Sequence, residues 1–301
     1  MTLQAPYLPD DFSSFWRGTV DEADDAPTDF QRTRQQTVKQ LGLTIDLIEF
    51  PGVKGDLLQG WFAYPESGEG SNGFLWLTPY GRSSMQPNQY GTRSGFCSLS
   101  FNHHGESAFY EQEYKPEHGY FADGIADPET WVFRRLFQDS FIAVKVLLAQ
   151  EEVFGSGVSA NGFSQGGGLA IWLGAMHPAV RCVVADMPFG AARPHVFNKD
   201  IRRYPLKEVS DWMAQSDEHR RKAMRTMSYF DTVNLATVCD VPTLVARGLR
   251  DPAVKSYEVM SVFEALPGEK KLVEVDCGHE WHASMVERNR EWMRKQFSVG
   301  G

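Results

Sequence analysis

One stretch, Gly162-Phe163-Ser164-Gln165-Gly166, constrains the fold of this chain more than any other. A strand-like run precedes it, and the apolar run 169–176, which has the character of a helix, follows it. The glycines two before and two after the serine allow a very sharp turn, because they carry no side chains that would collide across it. Such a turn presents the hydroxyl beyond the sheet, where the N–H groups at the start of the next helix point toward it. The pattern therefore predicts a nucleophile at Ser164.

The alternative is a bystander serine in a glycine-rich turn. Average composition gives this five-residue pattern by chance about 0.1 times in a chain of roughly 300 residues. The flanking strand and helix favour the functional interpretation further, because a nucleophile turn requires both.

Strand-like and helix-like segments alternate from residue 74 onward, which is typical of a mostly parallel sheet with helices on both faces. Asp127 and Pro128 have the character of an N-cap and a first helical residue, so they predict the start of a long helix. The predicted strands are 74–78, 96–101, 157–163, 180–186, 242–248 and 271–276, and the predicted helices are 128–150, 169–176, 254–265 and 281–296.

The chain reads as one domain, 1–301, with an extension at its start and an insertion. Residues 1–43 predict a helical extension in which Phe12, Phe15 and Trp16 form one apolar face, followed by a loop through Pro27. The runs 43–50 and 57–64 predict a hairpin at one edge of the sheet. Residues 107–127 are predicted to form an irregular excursion from the sheet. The charged and mostly helical residues 190–230 predict a cap region over the carboxyl edge of the sheet.

Composition limits the classes of partner. The net charge of −9 over 301 residues argues against nucleic acid or an anionic membrane as the main partner. The four cysteines form no C-x-x-C pair, which indicates free thiols in a reducing compartment. We find neither a signal-peptide pattern nor an apolar run of about 18 residues, and therefore expect a cytoplasmic protein that does not enter the membrane. No dinucleotide fingerprint or phosphate-binding loop is present, so no cofactor is expected.

Two titratable residues that follow later strands complete a candidate triad. Active sites of parallel sheets lie at the carboxyl ends of the strands. Asp251 and His279 each come just after a predicted strand, in the order serine, acid, histidine. His279 would take the proton of Ser164 during attack, and Asp251 would orient the imidazole and stabilise its charged form.

Each partner has an alternative. Asp186 ends another strand and is the rival acid, and Asp251 could instead cap a helix that starts near Pro252. His282 is the rival base, and His279 could be an ordinary turn histidine.

Two backbone N–H groups would stabilise the oxyanion. One belongs to Gln165, the residue after the nucleophile, and the other to Tyr80, in the turn after an earlier strand. His103, His104 and Glu106 could suggest a metal site. However, adjacent side chains in an extended segment point apart and no further ligand completes the cluster, so no metal is predicted.

Several stretches together resemble the acetyl xylan esterase / cephalosporin-C deacetylase family of α/β-hydrolases. The resemblance covers nearly the whole chain, and its combination of motifs is far more specific than the serine turn alone. The stretches are Asp11-Phe12 with Phe15-Trp16, Tyr80-Gly81, Gly124-Ile125-Ala126-Asp127-Pro128 with Arg134-Arg135, Gly162 to Gly168, Ser228-Tyr229-Phe230-Asp231 with Asn234-Leu235-Ala236, Gly248-Leu249-Arg250-Asp251, and Gly278-His279-Glu280.

The resemblance implies an α/β-hydrolase fold with Ser164 as nucleophile, Asp251 as acid, His279 as base, and the N–H groups of Tyr80 and Gln165 as the oxyanion hole. It also implies removal of acetyl groups from small molecules and oligosaccharides, a cytoplasmic location and no cofactor. A homo-oligomer is implied as well, a ring-like hexamer whose active sites face an inner cavity. The excursion 107–127 lies where the family has an interface extension.

One loop departs from the family pattern. The family usually has Arg-Gly-Gln where this chain has His103-His104-Gly105-Glu106. The leading hypothesis is therefore a serine esterase for short acyl esters. The alternatives are another hydrolase on the same fold, such as a peptidase, thioesterase or lactonase, or a catalytically silent binding protein.

Overall fold

The computed structural model describes residues 7–38, 41–67, 70–85, 87, 92–113, 119–199 and 201–299. The strands across these ranges are β1 Gln31–Val38, β2 Leu43–Pro51, β3 Leu57–Pro65, β4 Ser71–Leu77, β5 Cys97–Phe101, β6 Val153–Phe163, β7 Val180–Asp186, β8 Thr243–Gly248 and β9 Lys270–Val275. The helices are α1 Phe12–Asp24, α2 Val132–Leu148, α3 Gln165–Met176, α4 Arg193–Val196, α5 Leu206–Met213, α6 Asp217–Tyr229, α7 Thr232–Ala236, α8 Ser256–Ala265 and α9 Ser284–Val299.

The described strands join into one sheet in the order β1-β2-β3-β5-β4-β6-β7-β8-β9. The pairs from β5-β4 to β8-β9 are parallel, and β1, β2 and β3 add antiparallel strands at one edge. Both the predicted parallel sheet and the predicted edge hairpin are confirmed. The carboxyl ends of β4, β6, β7 and β8 consequently lie along one edge of the sheet, where the loops that carry the candidate residues begin.

Apolar side chains alternate between the two faces of the central strands, as the two-residue period of a strand requires. In β4, Leu75 and Leu77 pack into the large cluster that includes α1, α2 and α3. Phe74 and Trp76 point the other way and pack with Trp292 and other residues of α9. Burying both faces explains why these strands are near-continuous apolar runs.

Several sequence predictions of element bounds are wrong. Helix α3 begins at Gln165 rather than 169, and strand β6 begins at Val153 rather than 157. Helix α2 begins at Val132 rather than near Pro128, because the side chain of Asp127 accepts the N–H of Glu129 and closes a separate turn. Helix α9 begins at Ser284 rather than 281. The sequence predicts no strand between the loop at Pro27 and residue 43, but β1 lies there and pairs with β2.

The predicted cap region 190–230 contains α4, α5 and α6, inserted between β7 and β8. The apolar face of α1 is confirmed: Phe12, Phe15 and Trp16 are buried, and Trp16 packs against Phe137 of α2. In the described part of the chain, no helix is long and apolar enough to cross a bilayer. The N-terminal residues 1–6 and part of the predicted excursion, 114–118, lie outside the described residues.

Candidate active site

The turn at Ser164 is sharp and sterically demanding. Ser164 has φ 57° and ψ −117°, a backbone conformation that L-residues other than glycine rarely adopt. A Cβ on Gly162 would lie 2.2 Å from the carbonyl oxygen of Gly166, and a Cβ on Gly166 would lie 2.1 Å from the carbonyl oxygen of Leu77. Both glycines are therefore required by close backbone approach, as the sequence pattern predicts.

The neighbouring strand holds the turn in position. The N–H of Ser164 donates to the carbonyl oxygen of Asp186 at the end of β7, 2.9 Å away. The carbonyl oxygen of Ser164 accepts the N–H of Phe189 at 2.9 Å. These two bonds fix the strained residue from the β7 side, so the hydroxyl has a defined direction.

His279 connects Ser164 to Asp251. The Oγ of Ser164 lies 2.9 Å from Nε2 of His279, and Nδ1 of His279 lies 2.7 Å from Oδ2 of Asp251. The imidazole ring packs on Phe163, with 4.8 Å between ring centroids, and this contact limits its rotation. The three predicted triad residues thus form one chain of hydrogen bonds, with Nδ1–H donating to the carboxylate and Nε2 accepting the serine proton.

Asp251 divides its two oxygens between the loop and the histidine. Oδ1 accepts the N–H of Ala253 at 2.7 Å and that of Val254 at 2.9 Å, which leaves Oδ2 for His279. The helix that follows starts only at Ser256, with Lys255 as its N-cap. Asp251 therefore organises its own loop but does not cap α8.

The two rival residues have other partners. Asp186 is fully buried and accepts hydrogen bonds from Arg288 at 2.6 Å and Asn289 at 2.7 Å, both in α9. His282 is exposed, and its Nδ1 pairs with Ser284 at 2.7 Å. Asp186 thus attaches α9 to the sheet, and His282 lies in the turn before α9.

A second buried acid lies near the triad. Burial and the negative charge of Asp251 raise the pKa of Glu258 to about 7, although the N–H of Lys255 and the charge of Arg193 act to lower it. Glu258 also lines a cavity of about 410 Å³ between the cap region and the loop after Asp251. Phe189, Ile201, Leu206, Pro252 and Tyr257 form much of the apolar wall of this cavity.

Both predicted oxyanion residues lie next to the serine turn. Gln165 opens α3, so its N–H has no partner within the helix. Tyr80 lies in the loop that leaves β4, and Leu77 at the end of β4 contacts the serine turn through Gly166. The ring of Tyr80 stacks on Tyr120, with 4.9 Å between centroids and 30° between planes.

Sequence reasoning missed Tyr120. Its hydroxyl bonds to the main chain at Gly81 and to the side chain of Gln165. Tyr120 stands in the irregular excursion, where no periodicity or motif marks it. Only the folded contacts reveal its position.

Of the histidine pair, His103 is buried and His104 is half-buried. Burial, together with the positive charge of nearby Arg135, lowers the pKa of both His103 and His104 to about 3, so both rings are neutral at ordinary pH. Nε2 of His103 bonds with Oγ of Ser140 at 3.0 Å, and the ring of His104 lies 4.3 Å from that of Tyr120. Among the residues that the structure describes, no group of three or more His, Cys, Asp or Glu side chains could hold a metal ion. All four cysteines are buried and free.

The sequence was compared with models of known families, and the model of acetyl xylan esterase (AXE1) matches residues 4–296. This chain belongs to the acetyl xylan esterase family. The family resemblance drawn from the motifs is therefore confirmed. Membership supports a carboxylic ester hydrolase.

Individual relatives of the family are distant in sequence. Acetyl esterase Axe7A of Xylanibacter ruminicola is 23% identical over 314 residues, which cover 98% of this chain and 69% of that protein. The solved acetyl xylan esterase from Paenibacillus sp. R4 superposes with a TM-score of 0.85 at 23% identity and 97% coverage of both chains. Acetyl xylan esterase 1 from Thermoanaerobacterium sp. JW/SL YS485 gives 0.84 at 22% identity, covering 98% of this chain and 96% of that one. These similarities confirm the predicted α/β-hydrolase fold.

Proposed function

We propose that this member of the acetyl xylan esterase family is a serine esterase that hydrolyses short acyl esters, acetyl esters above all. Its substrates would be esters of small molecules or oligosaccharides. The observation that carries the proposal is the chain of hydrogen bonds from Ser164 through His279 to Asp251. The family match and the names of the relatives support the acetyl group as the one removed.

The reaction would proceed in two halves. Oγ of Ser164 attacks the ester carbonyl carbon while Nε2 of His279 takes the hydroxyl proton, and the negative charge moves to the carbonyl oxygen. The N–H groups of Tyr80 and Gln165 would donate to that oxygen. His279 then gives the proton to the leaving alkoxide, and an acyl-enzyme forms on Ser164.

Water completes the cycle. His279 removes a proton from water, whose oxygen attacks the acyl carbon, and the same proton returns to Oγ as the bond to Ser164 breaks. The products are the free acid and the regenerated serine. Asp251 keeps Nδ1 protonated throughout, so that Nε2 is the nitrogen that exchanges protons. No cofactor takes part in this proposal.

The cavity beside the cap region lies next to the triad, and neither Ser164 nor His279 lines it. Its volume of about 410 Å³ is in the usual range for small-molecule sites. Phe189 joins the cavity to the serine turn, because its N–H bonds to the carbonyl oxygen of Ser164.

We further propose a cytoplasmic homo-oligomer, with the hexamer as the expected form. Four buried free thiols suit a reducing compartment. Phe109 and Tyr110, in the excursion, are 60% and 38% exposed, and such aromatic exposure is typical of an interface. Sedimentation velocity on the intact protein tests the oligomer, and a monomer at micromolar concentration would contradict it.

The esterase proposal is tested by steady-state hydrolysis of p-nitrophenyl acetate, butyrate and octanoate. We expect acetate to be preferred, and Ser164→Ala to lower kcat by at least ~10³-fold. Ser298→Ala is the matched control, because Ser298 is exposed in α9 and its hydroxyl donates locally, to the carbonyl oxygen of Arg294.

Three other outcomes would contradict the proposal, in part or as a whole. Preference for a thioester, lactone or peptide would identify another hydrolase on the same fold. Preference for octanoate would remove the acetyl specificity. Absence of serine-dependent turnover on every ester, together with no labelling of Ser164 by an organophosphonate, would favour a binding protein.

A further inference from the structure

One phenol oxygen joins the two segments that would form the oxyanion hole. The N–H of Gly81, the residue after Tyr80, donates to the hydroxyl of Tyr120 at 3.0 Å. That hydroxyl donates its own proton to Oε1 of Gln165, also at 3.0 Å. Gln165 follows Ser164 directly, so Tyr120 links the loop after β4 to the first residue of α3.

The ring of Tyr120 is held on several sides. It is 1% exposed, stacks on Tyr80, and lies 4.3 Å from the ring of His104. Burial raises the pKa of its hydroxyl well above the ordinary value, so the hydroxyl keeps the proton that it donates to Gln165. His104 belongs to the loop 103–106, in which this chain departs from its family pattern. The neutral imidazole of His104 thus forms one side of the site that holds the Tyr120 ring.

The cap region anchors the same segment. The carboxylate of Glu208, in α5, accepts the N–H groups of Gly119 and Phe121, the latter at 2.7 Å. These are the residues on either side of Tyr120, so the backbone that carries the phenol cannot shift without breaking bonds to a charged acceptor. A continuous set of contacts therefore runs from α5 to Gly81 and Gln165.

We propose that Tyr120 is a positioning residue that fixes the separation of the two oxyanion donors. Donors stabilise an oxyanion when they lie about 2.7–3.1 Å from its final position, and small displacements weaken them strongly. The N–H of Gly81 bonds to the phenol, which therefore holds the loop after β4 at this point. Tyr120 does not itself touch the reacting atoms. This inference rests on the proposed serine esterase activity.

The direct test is Tyr120→Phe, which removes one oxygen and keeps the ring between Tyr80 and His104. We expect kcat for p-nitrophenyl acetate to fall about 10- to 100-fold, less than the loss of a donor itself, with KM changed less than about threefold. Affinity for a trifluoromethyl ketone that forms an oxyanion on Ser164 should fall by the same factor as kcat/KM. If Tyr120 served folding alone, Tyr120→Phe would lower the melting temperature, but kcat and the affinity for the ketone would not fall together while KM stayed nearly constant.

Tyr229→Phe is the matched control. Its hydroxyl is also hydrogen bonded, to Asp11 at 2.5 Å and Arg225 at 3.0 Å, but it lies at the junction of α1 and the cap region, away from the triad. We expect unchanged kcat and KM in this variant.

A second variant removes the other end of the link. Gln165→Met keeps the main-chain N–H of residue 165 and deletes the acceptor of the Tyr120 proton. If the two side chains act as one link, the double variant should be no more than about twofold worse than the more impaired single variant. Fully multiplicative losses would overturn the proposal.

Amide hydrogen exchange tests the link without turnover. Exchange at Gly81 should become about two- to tenfold faster in Tyr120→Phe, because one hydrogen bond is lost, and should not change in Tyr229→Phe. Unchanged exchange, or unchanged kcat in an enzyme whose Ser164→Ala variant is inactive, would refute the role of Tyr120. Failure of the esterase proposal would be recognised separately, because the wild-type protein would then show no serine-dependent turnover.

Discussion

Gly166 lies so close to the carbonyl oxygen of Leu77 that an added Cβ would stand 2.1 Å from it. This contact presses the serine turn against the end of β4, the strand that leads to Tyr80. The distance is too short for any side chain, and the opposing atom belongs to the backbone of a buried strand, which cannot move aside cheaply.

Gly166→Ala should therefore lower the free energy of unfolding by more than about 2 kcal/mol and reduce kcat for acetyl esters. The measurement is urea unfolding followed by tryptophan fluorescence, with activity measured on the folded fraction. Gly18→Ala is the control, because Gly18 is exposed in α1 and no atom lies within 4 Å of its added Cβ. That variant should gain up to about 1 kcal/mol from helix propensity. Equal stability of the two variants would contradict the steric explanation.

The serine turn and its partners were predictable because their requirements are local. Gly162 and Gly166 are demanded by the turn itself, and Asp251 and His279 each come just after a strand that the sequence predicts. Strands β6, β7, β8 and β9 are neighbours in the sheet, so the residues that follow them lie close together. The sequence pattern therefore predicts the arrangement of the site.

Features that depend on distant contacts were not predictable. Strand β1 is polar except for its last residue, Val38, and its pairing is supported by Arg32, which forms ion pairs with Asp46 and Glu152, each at 2.7 Å. Helix α2 starts late because the capping residues at Asp127 form their own turn. The link through Tyr120 joins three segments far apart in the chain, so no spacing within any one of them could indicate it.

Asp251→Asn should lower kcat by about 10³–10⁴-fold with little loss of stability. Two backbone N–H groups face Oδ1, so the amide oxygen of asparagine must stay there and its NH₂ group must face His279. Nδ1 would then have to accept, and the proton would move to Nε2, which could no longer take the proton of Ser164. Asp276→Asn is the control, because Asp276 is exposed and forms its ion pair with exposed Arg250. Steady-state kinetics with p-nitrophenyl acetate measures both, and near-normal kcat in Asp251→Asn would exclude Asp251 as the orienting acid.

Buried His103 should make the fold less stable as the solution becomes acidic. Its pKa in the folded protein, about 3, is depressed below the ordinary 6.5, so the folded state binds fewer protons than the unfolded chain between these values. The stabilisation is present above pH 6.5 and is lost as the pH falls toward 3, at about 1.4 kcal/mol per pH unit.

His103→Gln should remove this slope while it preserves a donor to Ser140. Urea unfolding at about pH 7, 6 and 5 should show a free energy of unfolding that declines less steeply in the variant, by up to about 1.4 kcal/mol per pH unit. His282→Gln is the control, because its side chain is exposed. Parallel curves for wild type and His103→Gln would mean that folding does not lower the pKa of His103.

Arg288→Met should destabilise the protein by about 3 kcal/mol, because it removes the ion-pair partner of the fully buried carboxylate of Asp186. Burial already raises the pKa of Asp186, and the charge of Arg288 opposes this effect, together with the hydrogen bond from Asn289 and the charge of Arg93. Removing the arginine therefore favours the protonated acid, and the loss of stability should become smaller as the pH falls. Urea unfolding at about pH 7 and pH 5 measures both effects. Arg250→Met is the control, since its ion pair with Asp276 is solvent exposed and contributes less than about 1 kcal/mol. If both variants lost the same free energy at neutral pH, Asp186 would not depend on Arg288 for its charge, and Asn289 alone would suffice to attach α9 to β7.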